Sequence, residues 1–182
     1  MGGTERMVQT LASRLNPARF RCAVVSLTGG GALTGAVREL GLDAATLDLR
    51  HPLQIGRVRA LYRFMKSRPF RILQTFGLRA DLFGRILGCA AGIPVIIGSI
   101  RSTDPWRRLH HVLLDRLTLP LATAFISNSE AGRKSRIGRE HYHPDRIEVI
   151  YNGIEIPDPI SKEDREAARD GLGIPHGTAD HR

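Results

Sequence analysis

The sequence has little cysteine, no long apolar run and no leader-like segment. Only two of its 182 residues are cysteine, Cys22 and Cys89, and neither lies in a spacing typical of a disulfide framework or a zinc site. Residues 93–100 and 117–126 are the longest apolar stretches, and both are shorter than the roughly 20 residues that cross a bilayer. The N-terminus lacks the basic and apolar segments of a signal peptide. We therefore expect a cytoplasmic protein with no spanning helix and no metal site.

Acidic residues are also scarce, which leaves a formal net charge of +9 from 27 Lys and Arg against 18 Asp and Glu. Residues 1–100 carry most of the surplus, with 14 basic against 5 acidic residues. A basic surface suits nucleotide phosphates, anionic lipid or nucleic acid, and solvated helix faces alone also produce one. Because the arginines are dispersed and only ten aromatic residues are available to stack on bases, we do not expect a nucleic acid partner.

Short apolar segments alternate with amphipathic segments along most of the chain. β-branched runs of this length are typical of buried parallel strands, and they predict six strands, over residues 20–27, 44–49, 70–76, 94–100, 123–128 and 147–151. Apolar residues three and four apart predict helices over residues 5–15, 33–40, 55–67, 80–91, 106–119 and 130–138. The alternation favours an α/β class, a Rossmann-like, doubly wound parallel sheet with its six strands side by side in one layer.

Both ends of this pattern differ from a complete doubly wound sheet. Gly2 and Gly3 directly precede the first predicted helix, where a strand is normally found. That first strand is usually central, so its absence predicts a gap in the middle of the sheet. We expect an upstream segment to supply the strand; the alternatives are a rearranged strand order and a fragment of low stability. After Asn152 the chain becomes richer in proline and carries an acidic helix over residues 161–171, which Ser161 is expected to cap. We predict one domain over residues 1–156 and a linker with a short helix over residues 157–182, leading toward an absent domain.

Six motifs in order carry a family resemblance. They lie at residues 2–6, 74–77 with 80–85, 91–96, 99–101, 127–130 and 149–154. Each motif alone is common, but together they follow the landmarks of the amino-terminal domain of family 4 glycosyltransferases. Over residues 2–156 the chain resembles that domain, the acceptor-side half of a GT-B enzyme with two Rossmann-like domains, and the second domain is absent here.

The resemblance implies transfer of a sugar, of hexosyl type and with retention, from a nucleotide-sugar to a glycan or lipid-linked acceptor. This places the protein in polysaccharide or glycoconjugate biosynthesis, peripheral at the inner face of the cytoplasmic membrane, with an anionic membrane surface as a candidate partner. No metal or other cofactor is implied, because the nucleotide-sugar is a substrate. Two alternatives stay open: a non-catalytic acceptor- or membrane-binding subunit that needs a separate donor-binding chain, and an inactive truncated remnant.

Candidate substrate-binding residues follow the predicted strand ends and the first loop. Gly2 and Gly3 would let the loop approach donor phosphates or acceptor, although Glu5 after them is also an ordinary helix cap. Arg101 follows the fourth strand, where its fork of donors suits a diphosphate or carboxylate. Phe76 stands where many members of the family have a histidine, and it offers apolar stacking only. Weaker candidates are Asn128 and Glu130, beside a natural cap at Ser129.

No catalytic residue follows from the sequence. Asp81 and Asp104 lie near strand ends, but spacing alone does not place a general base. His110 and His111 are neighbours without the further partners that a zinc site requires.

The segment over residues 106–119 is strongly amphipathic, with leucines at positions 109, 113, 114 and 117 and arginines at 107, 108 and 116. Such a helix can pack its leucines onto the sheet or lie against an anionic membrane. Core packing is the interpretation that the pattern favours.

Overall fold

The computed structural model describes residues 2–29, 31–104, 106–153 and 160–174. The chain divides into two compact units, residues 1–151 and residues 152–182. In the first unit the helices and strands are α1 (Gly3–Arg14), β1 (Ala23–Ser26), α2 (Gly31–Glu39), β2 (Asp43–Thr46), α3 (Ile55–Lys66), β3 (Ile72–Phe76), α4 (Leu78–Ala91), β4 (Val95–Ile100), α5 (Leu109–Thr118), β5 (Ala124–Ser127), α6 (Glu130–Glu140) and β6 (Ile147–Val149). Every predicted helix and strand of this unit is present, and the predicted α/β class is confirmed.

All strand pairs are parallel, but the strands form two sheets. β1 pairs with β2, and β3, β4, β5 and β6 follow one another in a second sheet. The prediction of six strands in one layer is therefore wrong, whereas the predicted gap in the middle is present. Paired strands lie about 4.8 Å apart, and within the described ranges no strand lies between β1 and β3 to pair with both.

Helices cover both faces around β1. Val24 packs in a cluster with Ala12 of α1 and Val37 of α2. The next residue, Val25, contacts a second cluster, built around Leu61 of α3. Alternate side chains of a strand point to opposite faces, so α1 and α2 lie on one face and α3 on the other. Leu73 of β3 also packs in the second cluster, which therefore links the two sheets through side chains.

α4 lies unusually close to β3 because two glycines face the strand. A Cβ atom at Gly84 would lie 2.5 Å from Cγ2 of Thr75, and one at Gly88 would lie 2.7 Å from Cδ2 of Leu73. Either distance is shorter than a van der Waals contact. The two glycines thus set the distance between helix and sheet.

The helices over β3–β6 meet through charged rather than apolar side chains. The buried charge network comprises Arg85 of α4, Arg107, Asp115 of α5, Arg136 and Glu140 of α6, and Tyr142, all of them buried. Arg85 donates to Asp115 at 2.6 Å, and Arg107 donates to Asp115 at 3.0 Å and to Glu140 at 3.1 Å. Glu140 also accepts from Arg136 at 2.5 Å. Each buried charge therefore has an opposite charge within hydrogen-bond distance, as burial requires.

The electrostatics of Asp115 follow from these contacts. Burial opposes its ionisation, but Arg85, the hydroxyl of Tyr142 at 2.7 Å and Arg107 outweigh burial and hold the pKa of Asp115 below its ordinary value. In contrast, burial raises the pKa of Asp81, although Arg85 and a hydrogen bond from Thr75 act against the increase. The network is thus built around an ionised Asp115.

This network decides which face of α5 points inward. Asp115 and Thr118 are buried, and the Thr118 hydroxyl accepts from Arg85 at 3.1 Å. Positions three and four residues apart share a helix face, so the opposite face carries Leu109, Leu113 and Leu117, which are 75%, 48% and 76% exposed. The prediction that these leucines pack onto the sheet is wrong, because turning them inward would leave Arg85 and Arg107 without Asp115.

The second unit contains α7 (Lys162–Gly171), the predicted acidic helix. Its N-cap is Ser161, whose hydroxyl accepts from the backbone N–H of Asp164 at 3.0 Å, as predicted. Most of the rest of the predicted linker, residues 157–159 and 175–182, lies outside the described residues, as do residue 154 of the last motif and residues 155–156 at the end of the predicted domain.

Candidate functional site at the carboxyl edge of the sheet

Three of the predicted site residues meet at the carboxyl edge of the four-stranded sheet. Phe76 ends β3 and pairs in register with Ser99, while Ile100 at the end of β4 pairs with Ser127. Arg101 and Asn128 are the residues that follow β4 and β5. The backbone N–H of Asn128 donates to the carbonyl of Ile100 at 3.2 Å, so the two strand ends are joined directly. We call Phe76, Arg101 and Asn128 the edge trio.

Two helix N-termini lie at the same edge. α4 begins directly after Gly77, whose φ of +90° turns the chain sharply from β3 into the helix. α6 begins at Glu130 behind an N-cap at Ser129, whose hydroxyl accepts from the N–H of Gly132 at 3.1 Å. The predicted cap is confirmed. The N-terminal ends of helices carry partial positive charge, so this edge of the sheet favours an anion.

Asn128 carries an unusual acceptor at this edge. Its Oδ1 atom is buried and has no hydrogen-bond partner within the part of the chain that the structure describes. A buried acceptor without a partner costs free energy, so such atoms are expected to have a function or a ligand. Arg101 is half-buried, and desolvation lowers the pKa of its guanidinium, which stays charged at neutral pH. The edge trio therefore offers a cation, an amide and an apolar ring.

Glu130 has the position of an ordinary acidic residue at a helix N-terminus. It is exposed in the first turn of α6, with its carboxylate 3.8 Å from Arg133 one turn later. An acidic residue at a helix N-terminus interacts favourably with the helix dipole, which accounts for the residue without a ligand. A binding role for Glu130 stays a prediction.

Gly2 and Gly3 open α1, and neither has positive φ. The backbone N–H of Gly2 donates to the carboxylate of Glu5 at 2.6 Å, so the capping interpretation of Glu5 is confirmed. Apart from its neighbours and the backbone of α1, no described heavy atom lies within 4 Å of a Cβ built at Gly3, so the side of the helix at this residue is open. Whether these glycines act together with Arg101 stays a prediction.

The loop after Arg101 is held by Asp104. Its carboxylate accepts from Arg136 at 2.6 Å, lies 3.2 Å from Nε of Arg107 and also accepts from the Ser102 hydroxyl. Burial opposes ionisation, but the Ser102 hydrogen bond and Arg136 outweigh it and lower the pKa of Asp104. A carboxylate that already accepts hydrogen bonds from Arg136 and Ser102, and whose pKa is lowered, is a poor general base. Asp104 instead positions the segment that links Arg101 to α5. Its backbone φ is +45°, a value that residues other than glycine rarely adopt.

Asp104→Ala is expected to loosen this loop. The change removes the hydrogen bond from Arg136 and the ion pair with Arg107 and leaves a strained φ, so amide hydrogen exchange at residues 102–108 should accelerate by about tenfold or more. Trp106, the only tryptophan, lies beside His111 with ring centroids 5.4 Å apart, so its fluorescence should also change.

Asp48→Ala is the matched control, because Asp48 also has a positive φ, of +46°, and binds arginine at 2.8 Å in a different loop. It should leave residues 102–108 and Trp106 unchanged. Equal exchange rates in Asp104→Ala and the parent protein would contradict the assigned role of Asp104.

The sequence analysis missed the buried charge network and with it the positioning role of Asp104. A partial signal was present: Asp81 and Arg85 are opposite charges four residues apart on a predicted helix, and Arg136 and Glu140 have the same spacing, although the helix was predicted to end at residue 138. Such pairs are usually solvated, so spacing alone favours the exposed interpretation. These pairs are buried because the tertiary fold packs Asp115 and Arg107, from another part of the chain, against them.

No helix among the described residues is long and apolar enough to span a membrane. No group of three or more His, Cys, Asp and Glu side chains there is arranged to hold a metal ion.

Residues 1–156 match the family model described as Glycosyltransferase Family 4. The chain belongs to this family. The predicted resemblance is thereby confirmed, and the match ends where the predicted domain ends. No curated protein sequence matches the chain.

Solved structures of Anabaena Alr3699/HepE share the fold of this family 4 chain. The complex with UDP matches with a TM-score of 0.78 at 19% identity, over 94% of this chain and 47% of that protein. The complex with UDP-glucose gives a TM-score of 0.71 at 21% identity, over 95% of this chain and 47% of that protein. The complex with UDP and glucose gives a TM-score of 0.72 at 21% identity, over 94% of this chain and 47% of that protein. The chain thus spans about half the length of these structures, as expected for one half of a GT-B protein.

Proposed function

We propose that this chain is the acceptor-side half of a glycosyltransferase that moves a sugar from a nucleotide-sugar to a hydroxyl of a glycan or lipid-linked acceptor. The observation that carries the proposal is the edge trio, formed in a family 4 chain at the edge where parallel sheets bind ligands. The finer assignments, retention, a hexosyl donor and a place in polysaccharide or glycoconjugate biosynthesis at the inner membrane face, belong to the same proposal.

The residues of the edge trio suit different parts of the reaction. As the bond between sugar and diphosphate breaks, negative charge grows on the leaving nucleoside diphosphate. In this proposal the guanidinium of Arg101 and the N-termini of α4 and α6, all at the carboxyl edge of the sheet, stabilise that charge. Phe76 can stack on the apolar face of a sugar ring. Oδ1 of Asn128 is buried in the free chain, so it can accept from a sugar hydroxyl only after the side chain turns toward the substrate. These groups orient both substrates, which lowers the entropic cost of transfer.

A specific prediction concerns Arg101. Its replacement by alanine should weaken binding of UDP-glucose to the 182-residue chain by about 10- to 100-fold, because a charge-assisted hydrogen bond contributes about 1.5–3 kcal/mol. Arg101→Lys should restore only part of the affinity, since lysine keeps the charge and loses the planar fork. Isothermal titration calorimetry or ligand-observed NMR measures the change.

Arg71→Ala is the matched control, because Arg71 is an exposed arginine just before β3, at the opposite edge of the same sheet. It should bind UDP-glucose like the parent. Equal losses in both variants would indicate non-specific attraction to basic residues and contradict the site. An absence of saturable binding of both UDP-glucose and a lipid-linked sugar by the parent chain would contradict the proposal and favour the remnant.

A further inference from the structure

Two adjacent histidines at the start of α5 take no part in the proposed site. His110 and His111 are the second and third residues of the helix, which begins directly after Arg108. Neighbouring residues on a helix usually point apart, yet the Nε2 atoms of these two rings lie 3.1 Å apart. The backbone N–H of Arg108 donates to Nδ1 of His111 at 3.1 Å. The third residue thus reaches back to the residue before the helix and caps it, a role that Glu or Gln normally has.

These two contacts fix where the protons of the rings lie. A backbone N–H can only donate, so Nδ1 of His111 is unprotonated and the proton of this neutral ring is on Nε2. The Nε2–H of His111 then donates to Nε2 of His110, whose own proton must be on Nδ1. The hydrogen bonds run in one direction, from the N–H of Arg108 through His111 to His110. We call this arrangement the histidine cap.

The charged groups around His111 oppose its protonation. Desolvation, the His110 ring in its charged form and the guanidinium groups of Arg107 and Arg108 all lower the pKa of His111. The N-terminal end of α5 adds partial positive charge, and from α6 Arg139 adds a cation that donates to the carbonyl of Arg107. The nearby acids are already bound by arginine: Asp104, Asp115 and Glu140. His111 is therefore neutral at neutral pH and takes up a proton only in acid.

We propose that the histidine cap is a pH-sensitive switch of α5, closed while both rings are neutral and opened by a proton on either ring. A proton on Nδ1 of His111 would face the N–H of Arg108, donor against donor, so the cap bond would break. A proton on Nε2 of His110 would face the Nε2–H of His111 in the same way. Because the folded pKa of His111 lies below its unfolded value, stabilisation by the cap is complete above pH ~6.5 and is lost as the pH falls through the folded pKa.

The switch acts on the segment that joins the candidate site to α5. Residues 102–108 run from Arg101 to the histidine cap. The backbone N–H groups of His111 and Val112 both donate to the carbonyl of Arg108, at 3.0 and 3.2 Å, so the first turn begins at the residue that the cap holds. Opening the cap therefore loosens both the first turn of α5 and the end of the segment that follows Arg101. The inference rests on these contacts alone and does not depend on sugar transfer.

Nuclear magnetic resonance of the 182-residue chain tests the switch directly. At about pH 8, long-range proton–nitrogen correlation spectra should show the proton on Nε2 of His111 and on Nδ1 of His110. Between about pH 8 and pH 5, the protection of the Arg108, His111 and Val112 amides against hydrogen exchange, relative to unfolded-peptide rates, should fall by about 2- to 30-fold, the range for loss of a helix cap. The emission of Trp106, whose ring centroid lies 5.4 Å from that of His111, should change with the same midpoint.

Two results with the parent chain would overturn the proposal. A proton on Nδ1 of His111 at about pH 8 would show that this ring does not cap the helix. Equal protection of the Arg108 amide at about pH 8 and pH 5 would show that protonation does not open the cap.

His111→Gln separates the histidine cap from every other titration. Glutamine is an ordinary capping residue at this position and does not titrate, so the protection of the Arg108 amide should be kept and its response to pH lost. The variant retains Asp81, whose pKa is raised by burial, so a response that came from Asp81 would persist. An unchanged response in His111→Gln would contradict the switch.

Two further variants keep the test decisive if His111→Gln alters the fold. His110→Ala leaves the cap bond in place and removes the second ring, so the midpoint should move to higher pH, because charged His110 lowers the pKa of His111. His143→Gln is the matched control, since His143 is exposed and lies 3.6 Å from Asp145 in another loop. It should respond to pH like the parent. A loss of the response in His143→Gln, or an unmoved midpoint in His110→Ala, would contradict the assignment to the histidine cap.

Discussion

Asp115→Ala is expected to lower the free energy of unfolding by about 3–5 kcal/mol at neutral pH. The substitution removes the carboxylate that accepts from Arg85 at 2.6 Å, Arg107 at 3.0 Å and the Tyr142 hydroxyl at 2.7 Å. Both arginines are almost fully buried, so water cannot replace the lost partner. The cost comes mainly from the uncompensated charges and less from the loss of attraction. Urea unfolding followed by circular dichroism measures the change.

Asp145→Ala is the control, because the Asp145 side chain is 86% exposed and lies 3.6 Å from His143, which is also exposed. Its unfolding free energy should stay within about 0.5 kcal/mol of the parent. If Asp115→Ala fails to fold, Tyr142→Phe removes only one hydroxyl from the same carboxylate and should cost about 1–3 kcal/mol. A loss below about 1 kcal/mol for Asp115→Ala would show that the network does not support the fold.

The same contacts make the penalty of Asp115→Ala depend on pH. Because the folded pKa of Asp115 lies below its unfolded value, its stabilisation is complete above pH ~4 and is lost as the pH falls through the folded pKa. The difference between parent and variant should therefore shrink in acid. Asp81 acts in the opposite sense, because burial raises its folded pKa, so its contribution is complete below the unfolded value and is lost as the pH rises through the folded one.

Replacing two helical glycines by alanine should change the free energy of unfolding in opposite directions. Gly84→Ala places a Cβ 2.5 Å from Cγ2 of Thr75, whose rotamer is held by a 2.6 Å hydrogen bond to Asp81. Either α4 moves away from β3 or this hydrogen bond breaks, and such overpacking costs about 1–3 kcal/mol. Gly138→Ala in α6 meets no heavy atom within 4 Å among the described residues and should stabilise by about 0.5–1 kcal/mol.

Thermal and urea unfolding of the two alanine variants measure this difference. Stabilisation of Gly84→Ala would contradict the close approach of α4 to β3. A parallel loss in Gly138→Ala, where a Cβ meets no close neighbour, would show that the loss does not depend on the contact with Thr75 and would contradict that assignment.

Element positions could be predicted because each rests on a local pattern. β4, predicted over residues 94–100, is Val95–Ile100, and α3, predicted over residues 55–67, is Ile55–Lys66. The edge trio followed from the same reasoning, since the carboxyl ends of neighbouring parallel strands meet at one edge. The unpartnered Oδ1 of Asn128 could not be predicted, because burial of one atom depends on side chains from several elements.

The division into two sheets was only half predicted. A gap in the middle of the sheet was expected because no strand precedes the first predicted helix, yet a single layer was still predicted because strand pairing is not visible in periodicity. The leucines of α5 are a second case in which the sequence pattern did not predict the tertiary packing. Hydrophobic pattern treats Leu113 as a core residue and Asp115 as a surface residue, and the fold places them the other way round.

The sequence by itself determined the alternation of strands and helices, the parallel sheet and the family, because periodicity, turn residues and short motifs act over a few neighbours. Tertiary structure decided which faces are buried. Arg85, Arg107 and Asp115 lie up to 30 residues apart, and only the packed helices bring them within hydrogen-bond distance. Once buried, such charges must be paired, and this requirement outweighs the preference of three leucines for the interior.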